Sequence, residues 1–174
     1  MWAREIGLPV GDIVLATNAN RTIPDYLQTG HWRPRPSIAT LASAMDVGDP
    51  SNMERLRRLF PDVETLRGRV SAFTVSDEEI RASIRADAVS LGRVWCPHTA
   101  TAAHVYRQLA SDRAREPWVL VATAHPAKFG EIVEPLVGRE VPMLPALERL
   151  MRLPRHEEDL PAMLEDLRSR LLDA

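Results

Sequence analysis

Two short polar runs carry most of the side chains in this sequence that could do chemistry. Thr17-Asn18-Ala19-Asn20 follows the apolar run Ile13-Val14-Leu15-Ala16, and Thr123-Ala124-His125-Pro126-Ala127-Lys128-Phe129 follows Trp118-Val119-Leu120-Val121-Ala122. Asn18 and Asn20 offer amides either to a substrate or, through Asx turns, to the neighbouring backbone. The ordinary pKa of an imidazole lies near neutrality, so His125 suits a proton shuttle, a phosphate ligand, or simply the bracing of its own turn. Lys128 can present its charge to a phosphate-bearing substrate or stand solvated beside the loop. It is the one lysine among 22 basic residues, so chemistry that needs an amine nucleophile has a single candidate. Thr123 taken alone is a hydroxyl capping the turn before a helix.

The remaining reactive types are sparse. Cys96 and His98 share one proline loop and sit too close together for a metal site without further ligands. His98 and His104 fall on different sides of a helix, and His31 and His156 lack nearby partners. No zinc spacing is met, and no metal site is expected.

These runs need elements to hold them. Residues 12–16, 70–75 and 118–122 read as strands, the first and last nearly continuous in apolar character, as parallel strands buried on both faces are. Helical readings cover residues 23–27, stopping near Gly30, and then 37–45, 52–60, 78–91, 99–109 and 127–136. Ser51 three residues before Glu54, and Ser76 three before Glu79, read as capping boxes. Arg33-Pro34-Arg35-Pro36 must be an extended loop, because two prolines remove backbone donors. Residues 144–151 and 160–172 form a helical tail interrupted at Pro154. Strands alternating with helices predict an α/β fold: a partial parallel sheet flanked by helices, with a helical C-terminal tail and a boundary between 1–140 and 141–174. Ligands of such sheets sit at the carboxyl ends of strands, where both polar runs fall.

A third segment is more specific than any periodicity. Ser43-Ala44-Met45-Asp46-Val47-Gly48-Asp49-Pro50-Ser51-Asn52 resembles the SNAMDVGNPSN segment of threonine synthase, a pyridoxal 5'-phosphate (PLP) enzyme of fold type II. Thr17-Asn18-Ala19-Asn20 and Thr123-Ala124-His125-Pro126-Ala127-Lys128-Phe129 resemble motifs of the same family, in the same order, and Pro97-His98-Thr99-Ala100 resembles its PHTA segment. The resemblance runs from about Gly7 into the tail and covers only the C-terminal part of such an enzyme. It implies the C-terminal part of the large PLP-binding domain over 1–140. It also implies a reaction of O-phosphohomoserine with water to threonine and phosphate. Thr123 would take the family's place beside the pyridine nitrogen, as a neutral hydroxyl that does not hold that nitrogen protonated. Asn18, Asn20, His125 and Lys128 would line the substrate.

The same resemblance implies what must come from elsewhere. The family's Schiff-base lysine and its glycine-rich phosphate loop lie upstream of the part matched here, and Lys128 stands in a different motif. No catalytic residue is therefore assigned. The expected partner is an N-terminal portion carrying that lysine, without which the chain is expected to be inactive; the alternative is a non-catalytic remnant or interaction module. One departure concerns the family's Asn-Asp-Thr-Val-Pro-Arg, which here is Asn20-Arg21-Thr22-Ile23-Pro24-Asp25. The two charges are exchanged four residues apart, so a helix-end ion pair can survive the swap.

Composition narrows the rest. With 174 residues, 45% hydrophobic and 26% charged, the chain has the make-up of a globular domain. A formal charge of −2 gives no electrostatic reason to expect nucleic acid or anionic membrane. The lone Cys96 excludes an internal disulfide and fits a reducing, cytoplasmic setting. No apolar run approaches the roughly 18 residues of a membrane span. An incomplete sheet should leave apolar surface and an open strand edge, which favours self-association.

Overall fold

In the computed structural model, which describes residues 2–110, 116–172, Ile13–Thr17 (β1) and Val70–Thr74 (β2) pair in parallel. The register sets Ile13 opposite Val70 and Thr17 opposite Thr74. Side chains alternate between the two faces, as the period of two requires. Ile13, Val70 and Ala72 pack with Tyr26, Leu27, Met53 and Leu66. Val14, Ala16 and Phe73 pack on the other face with Val75, Ile80, Ile84, Ala100, Val105 and Val133. A pair of strands apolar on both sides is thus covered on both sides, as a parallel arrangement demands.

Helices supply the cover. On the first face lie α2 (Thr22–Thr29) and α4 (Val63–Arg67); on the second lie α5 (Asp77–Ser90), α6 (Pro97–Ala110) and α7 (Gly130–Val137). A four-residue helix, α1 (Trp2–Glu5), precedes β1, and α3 (Met53–Leu59) precedes α4. The ends of these helices follow local chemistry. Helix α2 stops where Gly30 turns to a φ of 77°, a conformation open to glycine at no steric cost. Helix α5 opens on a full capping box, Ser76 with Glu79. The Ser76 N–H and hydroxyl both donate to Glu79 Oε2 at 2.7 Å, and these bonds hold the Glu79 carboxyl below its usual pKa. The exchanged charges Arg21 and Asp25 do form an ion pair, at 2.7 Å, across the first turn of α2.

Three expected elements differ. Residues 37–45 are not a helix but an extended loop that ends in a 3₁₀ turn, Ser43–Met45. The cause is competition for the backbone: Asn20 Oδ1 takes the Ile38 N–H at 2.8 Å and Asp46 Oδ2 takes the Thr40 N–H at 2.9 Å. Ser51 and Glu54 form no capping box. Turn bonds from Met53 N–H to Pro50 O and from Glu54 N–H to Ser51 O, both 3.1 Å, satisfy those donors first. Residues 118–122 join no ladder. Trp118 and Leu120 turn inward, Trp118 edge-on to Tyr106 at 5.6 Å between ring centroids, while Val119 and Val121 stand 89% and 70% exposed. The alternation of a strand is present; a neighbouring strand is absent among the described residues.

The chain divides into two compact units, Met1–Pro142 and Met143–Ala174. The second holds α8 (Pro145–Met151) and α9 (Leu164–Leu172), with Leu150, Met151, Leu164, Leu171 and Leu172 all exposed. Among the described residues no helix is long and apolar enough to cross a membrane.

Ile84 is fully buried between α5 and its neighbours, so Ile84→Ala should cost about 2–5 kcal/mol in urea unfolding. Ser76→Ala should cost about 1 kcal/mol by loss of the cap. Because the folded pKa of Glu79 is depressed, its contribution is present above the unfolded carboxylate pKa and is lost as pH falls through the folded value. Denaturant midpoints recorded from pH 7 down to about pH 3 should fall less steeply in Ser76→Ala than in the unaltered chain.

Candidate functional site

The end of β1 delivers Asn18, fully buried, into the loop of residues 37–48. Its Nδ2 donates to Thr40 Oγ1 at 2.7 Å, Ala42 O at 3.2 Å and Asp46 Oδ1 at 2.7 Å. Its Oδ1 accepts the Asn20 N–H at 2.9 Å, an Asx-type turn. Asn20, 8% exposed, pairs its amide with the Ile38 backbone in both directions, each bond 2.8 Å. Asp46 is the hub. Its Oδ1 accepts from Asn18, Asn20 and the Thr40 hydroxyl, and its Oδ2 from the Thr40 N–H. A carboxylate with this many donors is a charge satisfied by design of the loop rather than one left free.

Gly48 closes the same loop. A Cβ at this position would lie 1.8 Å from the Arg35 carbonyl oxygen, so only glycine lets the two strands of the loop touch. The Gly48 N–H donates to Ser37 Oγ at 3.0 Å, and its carbonyl accepts the Thr22 hydroxyl at 2.7 Å. At the end of β2, Asp77 Oδ1 accepts the Leu41 N–H at 3.0 Å. The loop is therefore tied to the carboxyl ends of both strands.

The Pro97-His98-Thr99-Ala100 segment reaches the loop through its histidine. His98, 9% exposed on the first turn of α6, accepts the Ala44 N–H on Nε2 at 2.9 Å. Phe129 tilts against its ring at 4.9 Å. Burial pushes the His98 pKa down; the Asp46 carboxylate pulls it back up and the Lys128 ammonium lowers it further. His125 caps the 3₁₀ turn Pro126–Phe129, its Nδ1 accepting the Ala127 N–H at 3.3 Å. Lys128 is exposed and pairs with no carboxylate among the described residues. Thr123 is exposed, and its hydroxyl finds no hydrogen-bond partner among them.

Of the five site residues expected from sequence, Asn18 and Asn20 thus meet in one buried network. His125 and Lys128 meet it through the turn that carries Phe129, and Thr123 stands outside it at the end of the unpaired segment. Asp46, Thr40 and His98 join the site without being among those five, although His98 stands in the Pro97–Ala100 segment that resembles the family. Asp46 lay inside a quoted motif, and an acidic residue in a Gly/Pro-rich loop shortly after a threonine is the signal that points to it.

A parallel strand pair covered by helices, with a polar network at its carboxyl ends, defines an α/β protein. The family model for the C-terminal region of threonine synthase matches residues 99–170. The threonine synthase of Serratia marcescens is 38% identical over 173 residues, 99% of this chain and 39% of that protein. The Escherichia coli enzyme is 35% identical over 174 residues. The crystal structure of the Escherichia coli enzyme superposes with a TM-score of 0.80 over 98% of this chain and 39% of that one, at 34% identity. A PLP-bound threonine synthase from Brucella melitensis superposes with a TM-score of 0.75 at 29% identity, over 97% of this chain and 41% of that one. The chain is a homologue of the C-terminal portion of threonine synthase, and spans about two fifths of the length of the relatives it matches.

Removing the hub carboxylate strands several donors at once. Asp46→Ala should destabilise the chain by about 2–3 kcal/mol, read as a lowered urea midpoint, and should expose the Asn18 side-chain amide to solvent exchange. Retention of the wild-type midpoint would show that solvent replaces the carboxylate without cost.

Proposed function

We propose that this chain supplies the ring-nitrogen side and part of the substrate wall of a threonine-synthase-like PLP enzyme, converting O-phosphohomoserine and water to threonine and phosphate. The observation that supports this reading is the joining of three of the family segments at the strand ends: Asn18 and Asn20 donate to Asp46, and His98 accepts the Ala44 N–H. The residues present fit one end of PLP: Thr123 offers an exposed hydroxyl with no partner among the described residues. They do not include a glycine-rich turn for its phosphate. When bound, PLP supplies the electron sink for elimination and hydration.

Thr123 donates to or accepts from the pyridine nitrogen without fixing a proton there, because a neutral hydroxyl carries no charge to stabilise the cation. Lys128 presents its ammonium to the phosphate of the substrate, and the His125 imidazole sets the angle of the turn that holds it. Asn18 and Asn20 act on the substrate through the loop that they and Asp46 build. The Schiff-base lysine and the phosphate cradle come from an N-terminal portion, joined to this one or separate. Residues 117–123, whose outward Val119 and Val121 stand open, support association with that portion, or with another copy when it is missing.

A second reading, an interaction module without chemistry, draws on those same exposed valines. Mixing separates the two. The 174 residues alone should show no saturable PLP absorbance band and no phosphate release from O-phosphohomoserine, and should bind an apolar dye. Addition of an N-terminal portion bearing the lysine should produce both the band and the release. In the mixture Thr123→Val should lower phosphate release by about tenfold or more and Thr123→Ser by far less, since one hydrogen bond to a reacting system is worth about 1.4 kcal/mol or more. Borohydride labelling of Lys128 in stoichiometric yield would overturn its assignment to the substrate. Absence of release from the mixture would favour the module.

A further inference from the structure

We propose that His98 is a positioning residue whose neutral ring clamps residues 43–48 to the start of α6, and so keeps Asp46 seated on Asn18 and Asn20. Nothing in the motif comparison requires this histidine to act on the loop; its geometry does. Nε2 accepts the Ala44 N–H at 2.9 Å, so the neutral ring carries its proton on Nδ1. Nδ1 is buried and has no hydrogen-bond partner among the described residues. One hydrogen bond and the tilted contact with Phe129 at 4.9 Å therefore hold the ring, and the first of them exists in one protonation state only.

Protonation at Nε2 would convert the acceptor into a donor aimed at another donor. The Ala44 N–H would lose its partner and the loop its tie to α6. The charged groups that act on the ring are Asp46, from the loop, which favours the cation, and Lys128, from the turn, which opposes it. Helix α5 also packs on α6, and its charges there have their own partners: Asp77 accepts the Leu41 N–H, Glu79 faces His104 and Asp87 pairs with Arg107; β1, likewise packed there, has no ionisable residue. Burial is the largest influence and favours the neutral ring. The sign follows. A histidine whose folded pKa is depressed leaves the unfolded chain binding more protons, so the clamp's contribution to stability is whole above the free imidazole value and is lost as pH falls through the lower folded one. Three residues, Met45, Asp46 and Val47, separate Ala44 from Gly48, so release at Ala44 loosens one end of the short span that carries the hub carboxylate.

The consequence for cofactor and substrate rests on the function proposed above; the clamp itself does not, and neither does its test. Long-range proton–nitrogen spectra of the His98 ring and hydrogen exchange at the Ala44 amide would be recorded on the 174-residue chain from about pH 8 to about pH 5. At the upper end the ring should be the Nδ1–H tautomer and Ala44 protected. Through the His98 titration the Ala44 protection factor, corrected for intrinsic exchange, should fall by about tenfold or more. His98→Gln, whose amide oxygen can accept the same N–H, should keep that protection at both ends of the range, and His98→Phe should lack it at both. An Nε2–H tautomer, a protection factor that is flat through the titration, or full protection in His98→Phe would each overturn the proposal. Should His98→Phe fail to fold, the tautomer and the exchange profile of the unaltered chain decide alone. None of these readouts involves PLP or turnover, so the clamp can stand while the enzymatic reading falls, and the reverse.

Discussion

The Asp46 carboxylate is the interaction on which the rest of the site depends. Its two oxygens accept from Asn18, Asn20 and both donors of Thr40, and thereby fix a loop that has no regular ladder of its own. Irregular backbone near a core survives only if its polar groups are paired. Here side chains do the pairing: Asn20 serves Ile38, Asp46 serves Thr40, Asp77 serves Leu41 and His98 serves Ala44. Of these four backbone donors between 38 and 44, three are met by residues from outside the loop, Asn20, Asp77 and His98. That explains how this segment is held at the strand ends without becoming a helix or a strand.

The apolar framework and the polar loop are coupled through α6. The helix packs Ala100 and Val105 into the core shared with β1 and α5, while its first residue pair, Pro97 and His98, faces the loop. Buried Asp87 adds a second polar anchor on α5, accepting from Trp95 Nε1 at 2.8 Å and pairing with Arg107. A charge this deep is tolerated because guanidinium and indole donors compensate its desolvation. Helices α5 and α6 are thus locked in register by the ion pair of buried Asp87 with Arg107 as well as by apolar packing, and the register sets the height at which His98 meets Ala44.

Residues 117–123 show the opposite regime. Their inward side chains find Tyr106 and the flank of α6, but their backbone joins no sheet among the described residues and their outward valines meet solvent. The buried indole N–H of Trp118 has no partner among the described residues. The relatives matched here are more than twice as long as this chain, and a strand of this composition is stable when neighbours cover both its edges and both its faces.

Much of the framework was legible in the sequence, because it rests on local rules. The apolar runs at 13–16 and 70–73 marked the strands; Ser76 with Glu79, and Gly30, marked helix ends; Arg21 and Asp25 marked an ion pair. Each depends on residues within a few positions of one another. The motif wording alone led to the family, and the fold agrees with it. The loop of residues 37–48 was not legible, because its conformation is decided by acceptors 18 to 54 residues away in sequence. Nor was the state of residues 118–122, where propensity for a strand was present but the partner that would complete it was not. Local preference determines what a segment can become. Only tertiary structure decides whether the donors and surfaces that preference leaves open are met, and by which distant residue.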